Sequence, residues 1–276
     1  MISFYKNIRA ALRFVMFIFV ILTYLIVSAV LSITTFDLIK RRKRQILMTH
    51  WTSKLILTAF NINLICKNPI DENESSLVIG NHVGFIDIIC LQSIQPAVFV
   101  TSIEMKQTPV LGQICDLGGC AYVDRRNRMG IQEELKGMVD VLKQGFRVAL
   151  YAESVASNGE QVLPFKKTLM MSAGLAGRPI RPFVFNYREV NNSKVEFKHR
   201  DAVCWYGDQS FGPAIWRSLQ LDSVTCEIEF LPLVYTKPED DRTLIANKIH
   251  QMVSEKYVPF VSDGTELNQN SLVHST

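Results

Sequence analysis

The residues best suited to chemistry in this 276-residue sequence lie in Asn81-His82-Val83-Gly84-Phe85-Ile86-Asp87. A neutral imidazole can accept a proton near pH 7. A carboxylate that keeps one ring nitrogen protonated leaves the other free to act as base. On a straight helix, five steps would leave His82 and Asp87 about 140° apart. The two meet only where the backbone bends between them, and Gly84 supplies freedom for such a bend. A strand-to-helix turn would present both at the end of a sheet. A plainer role also fits, with Asp87 capping a helix beside a solvated His82.

The surrounding pattern supplies such a turn. Residues 77–80, 97–101 and 147–152 are short apolar runs of the kind found in buried strands, and Ile62, Leu64 and Cys66 alternate with polar neighbours. Ile131, Leu135, Met138, Val139 and Leu142 form a helical stripe that ends near Gly145. Val224, Cys226, Ile228 and Phe230 read as one face of a half-exposed strand. Thr236 and Glu239 form a capping-box pattern before a stripe of Ile245, Ile249, Met252 and Val253. Strands alternating with helices predict one α/β domain with a mixed, largely parallel sheet flanked by helices.

Charge is distributed unevenly. Residues 1–50 carry eight Lys/Arg and one Asp, whereas the rest of the chain is slightly acidic. The body therefore lacks the broad basic surface that a nucleic-acid partner would require. The six cysteines form no C-x-x-C pair, and His50, His199, His250 and His274 show no paired spacing, so reduced thiols and no metal site are expected.

Residues 14–33 are uncharged, with only hydroxyls as polar groups, and as a helix would measure about 30 Å, the thickness of a bilayer core. Lys40-Arg41-Arg42-Lys43-Arg44 follows. The positive-inside rule keeps that flank cytoplasmic, and each cation near an anionic surface contributes roughly 1 kcal/mol. Either a span or a shallow, re-entrant helix satisfies this pattern. The organisation expected is an N-terminal anchor over 1–45, a catalytic domain over 46–260 and a loose tail over 261–276. Leu47, Trp51, Leu55 and Ala59 make a further helical stripe, suited to the membrane interface or to packing on the body.

His82-x4-Asp87 resembles the first motif of the membrane-bound glycerolipid acyltransferases of the 1-acyl-glycerol-3-phosphate acyltransferase type. Gly119-x-x-Tyr122-Val123-x-Arg125 resembles the second motif, and Glu153 supplies the carboxylate of the third. Phe165-Lys166-Lys167, Ala173, Ala176-Gly177 and Pro179-Ile180-x-Pro182 resemble the segment leading into the fourth. The third motif departs from the usual Pro-Glu-Gly-Thr-Arg-Ser, reading Ala152-Glu153-Ser154-Val155-Ala156-Ser157 without arginine or glycine. Ile103 stands where a lysine is common, with Lys106 nearby. This variant form resembles a subgroup that includes lyso-ornithine-lipid acyltransferases, as does Trp205-Tyr206-Gly207-Asp208, which otherwise reads as a structural turn.

The resemblance implies a single glycerolipid-acyltransferase-like domain behind a membrane helix. The implied reaction takes an acyl group from acyl carrier protein or coenzyme A to a lysolipid hydroxyl, without a resident cofactor. His82 would be the base and Asp87 its orienting partner. Arg125 would bind the acceptor's anionic group, with Gly119, Glu153, Lys166 and Lys167 around the substrate. Backbone N–H groups of residues 83–85 are positional candidates for oxyanion donors. Lysophosphatidic acid is the expected acceptor. Lyso-ornithine lipid and phospholipid remodelling are the alternatives, and a non-enzymatic lipid-binding domain is a remote one. The expected location is the inner membrane, with the domain on its cytoplasmic side.

Overall fold

The computed structural model describes residues 2–124 and 130–260. Two long helices come first, α1 (Ile2–Thr34) and α2 (Leu38–Phe60). They fold into a hairpin, with Asp37 capping α2 through Lys40 N–H. Then follow β1 (Ile62–Lys67), β2 (Leu77–Gly80), α3 (Phe85–Ile94), β3 (Val98–Ser102), α4 (Ile103–Gln107), α5 (Leu111–Leu117) and β4 (Ala121–Val123). After these come α6 (Ile131–Lys143), β5 (Val148–Leu150), α7 (Ser172–Ala176), β6 (Ile180–Val190) and β7 (Ser193–Lys194). The chain continues through α8 (Arg200–Val203), α9 (Phe211–Gln220), β8 (Val224–Phe230) and α10 (Arg242–Ser254).

The strands form one mixed sheet in the order β1-β8-β6-β2-β5-β3-β4, with β7 against β6. Pairing is parallel from β6 across β2, β5 and β3 to β4, and β8 runs antiparallel to β6. Central strand β2 is buried along its whole length, as its unbroken apolar sequence requires. Its side chains divide the core. Val78 joins the cluster containing Phe60, Ile86 and Leu91, while Leu77 and Ile79 join Met138, Leu142 and Ile249 on the other face. The sheet is thus sandwiched between α2, α3 and α9 on one side and α6, α7 and α10 on the other.

Helix α1 is docked along the body. Arg9 Nη2 donates to Gln220 O, and Arg13 donates to the carbonyls of Leu219, Leu221 and Asp222, satisfying acceptors that the end of α9 leaves open. Nearer the other end, Tyr24 O–H donates to Ile114 O at 2.8 Å. The opposite face, including Leu12, Val15, Phe19, Leu22, Ile26 and Val30, is apolar and exposed.

One local alternative is decided and one expectation is revised. Helix α2 buries Ile46, Thr52, Ser53, Ile56, Leu57 and Phe60, so the proposed stripe points outward at Leu47, Trp51 and Leu55, and only Ala59 is buried. A stripe at strict i+4 spacing drifts around a helix of 3.6 residues per turn, so it cannot follow a single buried face. Likewise, α10 starts at Arg242 with Asp241 as cap, accepting from Thr243 and Leu244 N–H, rather than at the Thr236–Glu239 pattern. The intervening 237–240 segment closes its own turn through Asp240 and Lys237 N–H.

Candidate active site

Beyond Gly80, Asn81 replaces backbone with side chain. Its buried amide donates to Phe185 O and accepts from Phe185 N–H, at 3.0 and 2.8 Å, continuing the β2–β6 pairing by one step. The chain then turns sharply into α3. Trp205 N–H donates to Val83 O at 2.9 Å, and this loop presses so closely that a Cβ on Gly84 would lie 2.8 Å from Trp205 N. Trp205 thus acts as a buttress for the turn, and only glycine fits opposite it.

The bend brings His82 and Asp87 together. His82 Nδ1 lies 3.0 and 3.1 Å from the two Asp87 oxygens, and Asp87 Oδ2 also accepts from Val83 and Gly84 N–H at 2.6 and 3.0 Å. The Asp87 side chain is 0% exposed. Burial of a carboxylate is costly, and three N–H donors at the positive end of a helix offset that cost. With Nδ1–H donating to Asp87, Nε2 is left as the basic nitrogen. It has no protein partner among the described residues, and the His82 side chain is 18% exposed.

The loop after β5 clamps the same peptide from the other side. Buried Glu153 accepts His82 N–H through Oε1 at 2.8 Å and Leu163 N–H through Oε2 at 3.0 Å. Ser157 N–H donates to His82 O at 2.8 Å. Burial pushes the Glu153 carboxyl up to about 7, against the downward pull of both N–H donors. Tyr151 backs the imidazole, its ring stacked 4.3 Å away at 25° between planes, and its buried hydroxyl has no hydrogen-bond partner among the described residues.

The other expected site residues are scattered. Lys166 is exposed, and its N–H donates to Ala152 O in this loop. Lys167 Nζ donates to Thr243 Oγ1 at the start of α10. Gly119 precedes β4, whereas His82 follows β2, so the two lie at opposite ends of parallel strands. Lys106 sits over the Tyr122 ring and 4.0 Å from Asp116. Arg125, with Arg126 and Arg128, lies outside the described residues. The Val83 and Gly84 N–H groups, offered above as oxyanion donors, are committed to Asp87. The sequence pattern assigns no role to Tyr151, Asn81 or Ser157. For Tyr151 the available signal is an aromatic directly after a buried strand and two residues before Glu153.

Two measurements follow from this geometry. Tyr151→Phe should raise stability by about 1 kcal/mol by removing a stranded hydroxyl, whereas Tyr151→Leu should lower turnover by on the order of 100-fold as the imidazole loosens. Equal turnover in both variants would show that the stack has no positioning role. For Glu153, the unfolded chain ionises near the ordinary carboxyl value and the folded chain only near 7. Between these values the unfolded state holds fewer protons, so stability falls as pH rises and levels off above pH 7. Thermal unfolding of wild type against Glu153→Gln should show a difference drifting by about 3 kcal/mol across that window. A flat difference would mean that the two N–H donors keep Glu153 ionised throughout.

Comparison with known proteins places this architecture. The acyltransferase family profile matches residues 61–186. A 1-acyl-sn-glycerol-3-phosphate acyltransferase of Neisseria meningitidis is 27% identical over 72% of this chain and 76% of its own. A lyso-ornithine lipid O-acyltransferase of Brucella abortus is 25% identical over 72% and 78%. Among solved structures, the 1-acyl-sn-glycerophosphate acyltransferase of Thermotoga maritima shares the fold with a TM-score of 0.65 at 17% identity, covering 91% of this chain and 95% of that one. The matched segment runs from β1 into β6 and carries His82, Asp87, Tyr151 and Glu153 together, and over those residues the chain matches the acyltransferase family.

Proposed function

We propose that this acyltransferase moves a fatty acyl group from a thioester, on acyl carrier protein or coenzyme A, to the free hydroxyl of lysophosphatidic acid, yielding phosphatidic acid. The observation that carries the reading is the His82–Asp87 contact, which leaves one ring nitrogen free at the exposed edge. The acceptor O–H gives its proton to Nε2 as its oxygen attacks the thioester carbon. The C–S bond then breaks, and the imidazolium returns the proton to the departing thiolate. Asp87 stabilises the imidazolium in between, a general-base contribution of roughly 100- to 10,000-fold. Arg125 holds the acceptor's phosphate, a role assigned from the second motif.

A second acceptor, lyso-ornithine lipid, is favoured by one observation. Ala156 stands where the third motif usually has arginine, so one phosphate-gripping guanidinium is missing. The Brucella relative bears that activity in its name. Assays of purified protein with both lysolipids and both thioester classes separate the readings. His82→Ala should lose at least about two orders of magnitude of transfer while remaining folded. Arg125→Ala should mainly raise KM for an anionic acceptor. Near-full activity of His82→Ala would remove the base from the mechanism.

The enzyme works at a membrane, where lysolipid and product reside. Among the described residues one helix, α1, is long and apolar enough to cross a bilayer. Its contacts to α9 and α5 favour a shallow seat instead, with the exposed faces of α1 and α2 in one leaflet and the basic cluster at the cytoplasmic surface of the inner membrane. In sealed vesicles, protease added on the catalytic domain's side should remove an N-terminal tag. Protection of the tag there would establish a span.

A further inference from the structure

The basic cluster after α1 is not uniform. Lys40 and Lys43 are exposed, and Arg44 Nη1 donates to Thr35 Oγ1. Arg41 and Arg42 are half-buried instead and line a hollow of about 460 Å³ between the start of α2 and the turn before β4. Neither guanidinium has a hydrogen-bond or carboxylate partner among the described residues. Asp116 is on the wall, but it accepts Tyr122 O–H at 2.7 Å and faces Lys106. Burial and the neighbouring Arg41 charge both lower the Arg42 pKa, the mark of a cation that lacks a counterion. Gln45 and Ser32, bonded to each other at 3.1 Å, complete a polar floor.

The rim has the opposite character. Leu38 and Ile39 line the hollow while largely exposed, and Phe36 in the adjoining turn is 91% exposed. A recessed pair of guanidiniums behind apolar side chains suits an amphiphile whose head is a phosphate ester, since guanidinium grips phosphate bidentately. The hollow adjoins Gly119, Cys120 and Gln144, which precede β4 and β5, whereas His82 follows β2. Because these strands run parallel, the hollow and the imidazole lie at opposite ends of the sheet.

We propose that Arg41 and Arg42 form a second, non-catalytic site that holds the phosphate headgroup of an anionic glycerolipid, fixing the α1–α2 hairpin in an anionic membrane. This rests on the membrane seat proposed above, but not on the identity of the acceptor. The test is native mass spectrometry of the full chain released from detergent with dioleoylphosphatidylglycerol or dioleoylphosphatidylcholine. One phosphatidylglycerol should remain bound, at least tenfold in excess over phosphatidylcholine. Arg42→Ala and Arg41→Ala should each cut retention about tenfold, within the range for hydrogen bonds to a charged group. Lys40→Ala and Lys43→Ala should change it less than twofold. Arg125→Ala should leave it intact, whatever becomes of acyl transfer.

Equal losses in the lysine variants would reduce the site to diffuse surface charge and overturn the proposal. Loss in Arg125→Ala would assign the bound lipid to the catalytic site, with the same consequence. Displacement of the lipid by millimolar glycerol 3-phosphate would show that a free phosphate ester suffices and that the rim recognises no lipid. Retention unchanged in folded Arg41→Ala and Arg42→Ala would remove the site altogether.

Discussion

A buried carboxylate with three hydrogen-bond donors holds the functional end of this molecule together. Asp87 Oδ2 takes the N–H groups of Val83 and Gly84 as well as His82 Nδ1. A charge so deeply buried is tolerable only if its donors stay in place, so the carboxylate ties the ring and the turn into one unit. The Val83–Gly84 peptide cannot relax without stranding the charge, and the charge cannot leave without freeing the imidazole. Asn81, Glu153 and Ser157 then fasten the unit to β6 and to the loop after β5. The imidazole is therefore fixed before any substrate arrives, which is where much of an enzyme's orienting power originates.

The two acidic groups near His82 sit in different settings. Asp87 sits at the N-terminus of α3, where helix geometry supplies donors and a favourable field. Glu153 sits at a strand end with two peptide donors, and burial still drives its carboxyl toward the neutral form. Asp87 thus serves the ring, and Glu153 serves the backbone that carries the ring. The aromatic residues complete the setting. Tyr151 backs the imidazole, and Phe85, on the same turn, packs against Phe60 of α2, which meets Phe17 of α1.

Much of this was legible in the sequence, for identifiable physical reasons. The apolar run over Leu77–Gly80 marks a strand buried on both faces, and Gly84 between His82 and Asp87 marks the bend that unites them. The α/β alternation likewise marks a mostly parallel sheet. The illegible parts depend on distant partners. Nothing local in Trp205 shows that its peptide nitrogen will face Val83, and nothing local in Tyr151 shows which ring it will stack on. The i+4 stripe on α2 leaves two readings open in the sequence, because apolar side chains on a hairpin beside a membrane face outward as readily as inward. Lys166 and Lys167 follow the family pattern in sequence, yet their side chains are exposed, and Lys167 turns to α10.

The attachment of Arg9 and Arg13 to carbonyls of residues 219–222 bears on how the chain is assembled. These guanidiniums emerge from the ribosome some two hundred residues before their acceptors do. Throughout that interval the long apolar helix lacks its final protein contacts, and a greasy segment in that state invites aggregation. A lipid surface gives it a place to wait. A bilayer can thus also shelter α1 until residues 219–222 are made and its protein contacts close.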